Sequence, residues 1–386
     1  MDASRTNADV SPAPACPGCD PRDRPIAELV ARIAVLEQKL EAALRGGKRR
    51  AQGSHPLQTS DALGCCASQV GPGAQVPVVM LNKEMGLSQG KISRFFQRLF
   101  GLKLTRGGSR QIILRAAERC QDHRHAIVKR VPQGRWIVPD ETGWRIGGLG
   151  VWMHAAVGED AVAHLIAWQR GCDSSRRSVP QPEASSLLIG EDYAGTPVHG
   201  GWASYDRFWR ATHQTCLARL LCRCKELLDT PRRGAVVFPR NVKALLQESL
   251  EIRDHRDAHK ITLTAARRWA DELQKQMTKL VTPVKHYAAN ECLSAYLQRH
   301  DSQPFTFLRH HNIDATNHRA EQAIRPAVAN RTVWGGNRTD VGAVAQAILM
   351  TVLFTAAGQG RKAMEFATPA LRATPNHRPF LLPDTG

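Results

Sequence analysis

Trp136-Ile-Val-Pro-Asp140-Glu-Thr-Gly-Trp144 is the stretch on which the reading of this chain turns. Up to Asp140 it is a short apolar run with β-forming residues, and the run stops at a carboxylate. Gly150–Val157 and Val162–Trp168 follow as two more such runs, separated by glycine-bearing breaks. Three runs of this length predict three strands, the first being Trp136–Asp140, with its acid at the strand end. Ala184–Ile189 then reads as a short helix and Thr196–Gly200 as a fourth strand. A long helix is expected over Ala203–Leu228, followed by helices at Val242–Leu250, Asp257–Val281 and Val284–Arg299. Strands giving way to helices in this manner point to an α/β domain.

Working outward, the next informative stretch is Asn317-His-Arg-Ala-Glu321-Gln-Ala-Ile-Arg325-Pro-Ala-Val-Ala-Asn-Arg331-Thr-Val-Trp334. It predicts an amphipathic helix with one acid, Glu321, among Arg319, Arg325 and Arg331. That mixture is a poor design for a bare surface, but it makes sense if the acid holds a metal and the cations hold phosphates. Asp140 and Glu321 together suggest metal-dependent phosphoryl transfer, in which converging carboxylates hold two divalent ions roughly 3.5–4 Å apart. Glu141 alternates to the other side of its strand and is not counted. Each acid alone has a plainer reading, a turn residue for Asp140 and a solvated side chain for Glu321. Arg325, one helical turn on, is equally suited to an ion pair with Glu321 worth about 0.3 kcal/mol.

The chain has 386 residues, enough for one large domain with one or two small ones. Its 42% hydrophobic and 23% charged content are ordinary, so a buried core is expected. The net charge of +18, from 53 Lys+Arg against 35 Asp+Glu, is not ordinary and favours a polyanionic partner, nucleic acid being the commonest. No run of 18 apolar residues and no signal-peptide core are evident, so neither a membrane span nor export is expected. Cys216, Cys222 and Cys224 exemplify ten scattered cysteines, which suit free thiols in a reducing cytoplasm.

Residues 1–24 read as disordered. Across 25–45, Ile26, Leu29, Ile33, Leu36, Leu40 and Ala43 alternate at spacings of three and four, a short coiled coil that either dimerises the protein or docks on its body. A basic linker, 46–60, leads to a helical module at 61–130. Within the module, Val78–Met85, Gly86-Leu87-Ser88 and Gln89–Phe100 read as helix, turn and helix, with Ser88 as N-cap. Lys91, Arg94 and Arg98 line one face of the second helix, and Ile92, Phe95, Phe96 and Leu99 the other, as a recognition helix requires. A solvated helix in a bundle has the same pattern. The main domain is placed at 131–357 with a helical insertion at about 229–310, closing on a mostly buried helix at Gly342–Ala357. The tail, 358–386, carries no readable signal.

Asp140-Glu-Thr-Gly-Trp144, the block from Leu188-Ile-Gly-Glu-Asp-Tyr-Ala-Gly to Gly201-Trp-Ala-Ser-Tyr205, His213-Gln-Thr-Cys216, and Thr316-Asn-His-Arg-Ala-Glu321 occur in that order. Together with Val333-Trp-Gly-Gly-Asn-Arg-Thr and the helical block from Asp61, they closely resemble the insertion-sequence-66 family of bacterial DDE transposases. The resemblance covers roughly residues 61–357 and the N-terminal coil. It implies a ribonuclease-H-like catalytic domain, a mixed sheet flanked by helices with a helical insertion. It also implies Mg²⁺- or Mn²⁺-dependent cleavage at transposon ends, then strand transfer into target DNA. The expected partners are those double-stranded DNAs, a second copy through the coil, and accessory proteins of the element.

Carried over by position, Asp140 matches the first catalytic Asp and Glu321 the catalytic Glu. The second Asp, expected just before Gly-Trp-Ala-x-Tyr, is Gly200, which has no ligand atom. Asp192 and Asp206 are the candidate substitutes, though neither reaches the strand end without a backbone shift, and His199 should face the opposite way. Arg219 stands where the family commonly shows His. The family's small zinc module has no room between Arg45 and Asp61, and Cys16-Pro-Gly-Cys19 lacks a matching pair, so structural zinc is not expected. Cys65-Cys66 reads as core. The resulting expectation is a folded protein that binds DNA through Lys91, Arg94, Arg98, Arg319, Arg325 and Arg331, binds metal poorly and is catalytically inactive. The alternative is a DNA-binding remnant that regulates or inhibits an intact transposase.

Overall fold

The computed structural model describes residues 70–168, 184–229 and 235–372. The coil at 25–45, its flanks 1–24 and 46–60, Cys16, Cys19, His55, Cys65-Cys66 and the beginning of the helical module lie outside the described residues.

Among the described residues, four α-helices precede the sheet. Helix α1 (Pro72–Lys83) starts on proline, whose fixed φ suits a first turn. Helix α2 (Gln89–Phe100) matches its sequence boundaries, and the Ser88 hydroxyl accepts the Lys91 N–H at 3.4 Å. Ile92 and Phe96 are buried, whereas Leu99 is 63% exposed, so the apolar face is narrower than expected. Thr105 caps α3 (Arg106–Arg119), and α4 (Gln121–Arg130) leads into the sheet.

Strands β1 (Trp136–Ile146), β2 (Leu149–Val157) and β3 (Val162–Ala167) form an antiparallel meander. Beyond a short helix, α5 (Ala184–Ile189), strands β4 (Thr196–His199) and β5 (Gln214–Thr215) join in parallel on the far side of β1. The order is β3-β2-β1-β4-β5, a five-stranded mixed sheet flanked by helices and consistent with a ribonuclease-H-like domain. β1 continues well past Asp140 because β2 pairs with it along the whole hairpin, Asp140 opposite Ala155 and Ile146 opposite Leu149. The hairpin turns on Gly147 and Gly148 with φ of 58° and 87°, which only glycine adopts freely in succession. Asp140 is therefore a mid-strand residue, not a strand-end one.

The long helix expected from Ala203 is broken. Ala203–Tyr205 is one 3₁₀ turn, the chain then extends into β5, and α6 (Leu217–Leu228) begins only after Cys216. Gln214 anchors the extended segment: its amide donates to the carbonyls of Thr215 and Pro304 and accepts the Phe307 N–H. The insertion comprises α7 (Val237–Asp257), α8 (Leu263–Val281), α9 (Ala288–Arg299) and the single turn α10 (Thr306–Arg309). Asp257 ends α7 rather than starting the next helix, because His259 turns the chain with φ 55° and Thr262 caps α8. Then come α11 (His318–Trp334) and α12 (Asp340–Gly358). The tail forms one more helix, α13 (Ala363–Arg372), packed on α1.

Alternation along β1 sorts the core. Ile137 faces a cluster that unites Val76, Ile92, Phe96 and Ile112 of the first helices with Ile348, Leu349 and Val352 of α12. Trp136 and Val138 face another, with Leu217 and Leu220 of α6, Leu246 and Ala270 of the insertion, and Ala320 and Ile324 of α11. Among the described residues α12 alone is long and apolar enough to cross a membrane, with mean hydropathy 1.8, but it is mostly buried and serves as a core helix. It also covers the edge of the sheet: Thr351 accepts the His164 N–H, and Thr355 both accepts from and donates to Val162.

Candidate catalytic site

Asp140 shares the face of β1 that carries Trp136 and Val138, since side chains repeat every second residue. That face is covered by α6 and α11, which carry Arg219 and Glu321. The parallel register of Trp136 with Thr196 and Ile137 with Pro197, continued three residues, sets Gly200 level with Asp140. A side chain at 200 would thus project beside Asp140 on the same face. The geometry accounts for the position of the missing acid: the neighbouring strand ends at the height of Asp140.

That space is occupied by a cation. A Cβ built on Gly200 would lie 2.8 Å from Nε of Arg219 and 3.2 Å from its Cδ. Burial and the charge of Glu141 push the Asp140 carboxyl up to about 6; the Glu141 backbone and the Arg219 guanidinium pull it part of the way back, and Glu321 opposes them. Asp140 therefore feels Glu321, the acid expected beside it, and also Arg219, which the sequence did not place there. Glu321 is exposed in the first turn of α11, where the helix dipole favours an anion. It forms no ion pair among the described residues, and the expected pair with Arg325 is not made.

The remaining acids do not complete the set. Asp192 is 91% exposed at its side chain and pairs with Arg210 at 3.3 Å. Asp206 is exposed at the end of the 3₁₀ turn, on the side of His213 and His300. Glu141 accepts a hydrogen bond from the Tyr205 hydroxyl at 3.0 Å. No group of three His, Cys, Asp or Glu side chains converges to hold a metal among the described residues. The donor set thus does not fit a pair of divalent ions, which need several oxygens where this site offers a guanidinium.

His199 is buried beneath the site. Its Nδ1 accepts the Gly201 N–H at 3.0 Å, so Nε2 carries the proton and donates to Nδ1 of His213, also at 3.0 Å. His213 Nε2–H then donates to the Phe208 carbonyl at 3.0 Å. Two neutral rings satisfy all three bonds, and desolvation lowers both pKa values accordingly. The relay fixes the turn at Gly201, whose φ of 80° and contact with Tyr296 leave no room for a Cβ.

A family model described as Transposase IS66 family matches residues 67–345, well over half the chain. The chain belongs to that family. Membership assigns it to DNA transposition, with DNA as the family's partner, and DDE transposases generally use divalent metals. No curated protein matches it. The match spans the helical block, the sheet, the insertion, α11 and the first turns of α12, so it takes in both the ordered motifs and the sheet domain.

In this IS66-family chain the predicted DNA contacts are unequal. Lys91, Arg94 and Arg98 are all exposed along α2, beside a surface groove with Leu87, Phe95 and Leu99. Arg319 pairs with Asp314 and lies over the Trp136 ring, 5.0 Å from its centroid. Arg331 donates to the Gly143 carbonyl and to Thr142 Oγ1, clamping α11 to β1. Only Arg325 of these three is exposed and unpaired among the described residues. The sequence flagged Arg219 as a departure but gave no sign that it meets Gly200, since eighteen residues, a strand among them, lie between the two.

Proposed function

We propose that this IS66-family chain binds the DNA ends of its element but does not cut them, and so acts in transposition as an occupant of the ends and not as their nuclease. The observation that carries this is the Arg219 guanidinium against Gly200. The site has lost an acid and has gained a permanent cation in the same place, so two changes that are distant in sequence are one change in charge. A cation beside Asp140 opposes a divalent ion there and attracts a phosphate instead, as does exposed Arg325 across the groove. The cations of α2 supply a second contact in the major groove, in the helix-turn-helix manner. A protein of this kind competes with any intact relative for the same ends.

The coupling makes the test specific. Gly200→Asp alone should stay silent, because its new carboxylate meets Arg219 before any metal and forms an ion pair. Arg219→His alone also stays silent, lacking the acid. Gly200→Asp with Arg219→His should nick DNA carrying the element's ends in Mg²⁺ or Mn²⁺, and adding Asp140→Ala should abolish that nicking. Nicking by the native chain that Asp140→Ala removes would sink the proposal. A mobility-shift measurement on the same DNA reads binding separately from cutting.

A further inference from the structure

Away from the carboxylates, the ends of α1, α2, α3 and α11 and the start of α12 enclose a cleft of about 770 Å³. Lys83, Arg94, Arg106, Arg110 and Arg338 line it, and no carboxylate does. Glu84 and Asp340 each follow a lining residue in sequence, but neither lines the cleft, and Asp340 lines a different cavity. The four arginines are exposed and make no ion pair or side-chain hydrogen bond among the described residues. Lys83 is 3% exposed, and its ammonium donates to an amide oxygen, Gln346 Oε1 at 2.5 Å, and lies 5.8 Å from the centroid of the Trp334 ring, with no carboxylate for a partner. The indole N–H of Trp334, which also lines the cleft, is buried with nothing to donate to.

Five like charges do not gather around a cavity at no cost. Each raises the potential felt by the others, and a buried ammonium without a counter-charge is held at several kcal/mol of desolvation. Burial accordingly lowers Lys83 to about 7. The N-terminal turns of α2, α3 and α12 reach the same space through Gln89-Gly90, Arg106-Gly107, and Thr339 with Gly342, adding the positive ends of three dipoles, that of α12 offset by Asp340 in its first turn. Every charged side chain in the lining is positive, set among neutral polar groups (Asn82, Ser88, Gln89, Asn337) and the apolar Ile113, Leu114 and Ala345, so an anion is the missing counter-charge. The volume is that of a nucleotide-sized ligand, within roughly 300–1,000 Å³, and far too small for a duplex.

We infer that this cleft is a phosphate site that holds successive phosphates of one DNA strand, distinct from the Asp140 site and adjoining the outer face of α2 through Arg94. It assigns a role to Trp334-Gly-Gly-Asn-Arg338-Thr, a motif outside the carboxylate site. The inference rests on the chain being a DNA-binding protein, but the cleft can be judged without DNA. A strand threaded here would bridge the first helices and the sheet domain through its backbone.

The experiment uses the full chain and three proteins: native, Arg106→Ala/Arg110→Ala/Arg338→Ala, and a charge-matched control, Arg240→Ala/Arg268→Ala/Lys279→Ala, altered on insertion helices that do not line the cleft. Calorimetric titration with inorganic tripolyphosphate should show at least tenfold weaker binding for the cleft variant and under twofold for the control. For a twelve-nucleotide single strand, the slope of log K against log salt should fall by about 2 in the cleft variant, at about 0.7 per lost phosphate contact. Lys83→Met should weaken tripolyphosphate binding as well, and melting temperatures confirm that all variants fold. Equal losses in the cleft and control variants would reduce the effect to net charge and overturn the site, as would a native chain that ignores tripolyphosphate. Tripolyphosphate binding without strand binding would keep an anion site but overturn its assignment to DNA.

Discussion

The carboxylate site and the cationic cleft both bring helix ends and arginines together, yet they answer their charges differently. In the groove the answer is internal: Arg219 sits against Gly200 and offsets the acids that a metal would have served. In the cleft nothing internal answers, because Lys83 and four arginines face one another without an anion. A site that neutralises itself no longer needs its cofactor, whereas one that leaves its charge unanswered calls for a ligand. On the proposed reading the first has lost the family's chemistry, while the second has the all-positive charge that a nucleic-acid backbone would meet.

The largest way to break this contrast is the double reversion at Gly200 and Arg219, which should move cleavage from undetectable to measurable by orders of magnitude while either single change does nothing. Next comes Lys83. Its folded value of about 7 lies below the unfolded 10.5, so the unfolded chain binds the extra proton and native stability rises as pH climbs from about 7 towards 10. Lys83→Met should remove that rise, on the order of 4 kcal/mol, in urea unfolding at the two pH values. An unchanged slope would mean that the ammonium is answered after all.

A smaller effect tests the scaffold under the groove. His164, lowered by burial to about 4, and His199 and His213, lowered by burial as well, are neutral in the fold. The unfolded chain takes up their protons first, so stability should be complete above about pH 6.5 and fall from there towards pH 4. His164→Gln should make the fall shallower by roughly 3 kcal/mol at most, read from the pH dependence of the unfolding midpoint. The smallest expected effect is at Glu321. With no partner to lose, Glu321→Gln should shift stability by less than about 0.5 kcal/mol. A loss above 1 kcal/mol would show that its charge is answered inside the native groove, and would weaken the contrast.

Much of this was legible before any coordinates. Strands at 150–157 and 162–168, the helix at Ala184–Ile189 and α2 with its Ser88 cap depend on local alternation, helical spacing and capping, and they appear within a residue or so of their expected bounds. The failures occur where neighbours from elsewhere in the chain decide. β1 runs past Asp140 because β2 continues the ladder, and the segment after Ala203 stays extended at Gln214 because Pro304 and Phe307 satisfy that side chain. The site divides in the same way. The absence of a ligand atom at Gly200 is a fact of composition, but its replacement by a cation is one of register.

By itself, then, the sequence determined the family motifs, the order of most elements, the strong positive charge and the missing second acid, all of which depend on residue identity and short-range spacing. Only the tertiary structure decided that Arg219 lies against Gly200 beside Asp140, that Arg331 is a clamp on Gly143, and that Lys83 lines one cleft with arginines from α2, α3 and the segment before α12. The physical reason is that charge acts through space. Register and packing bring together groups that lie far apart in the chain, and local pattern carries no record of which partner each will meet.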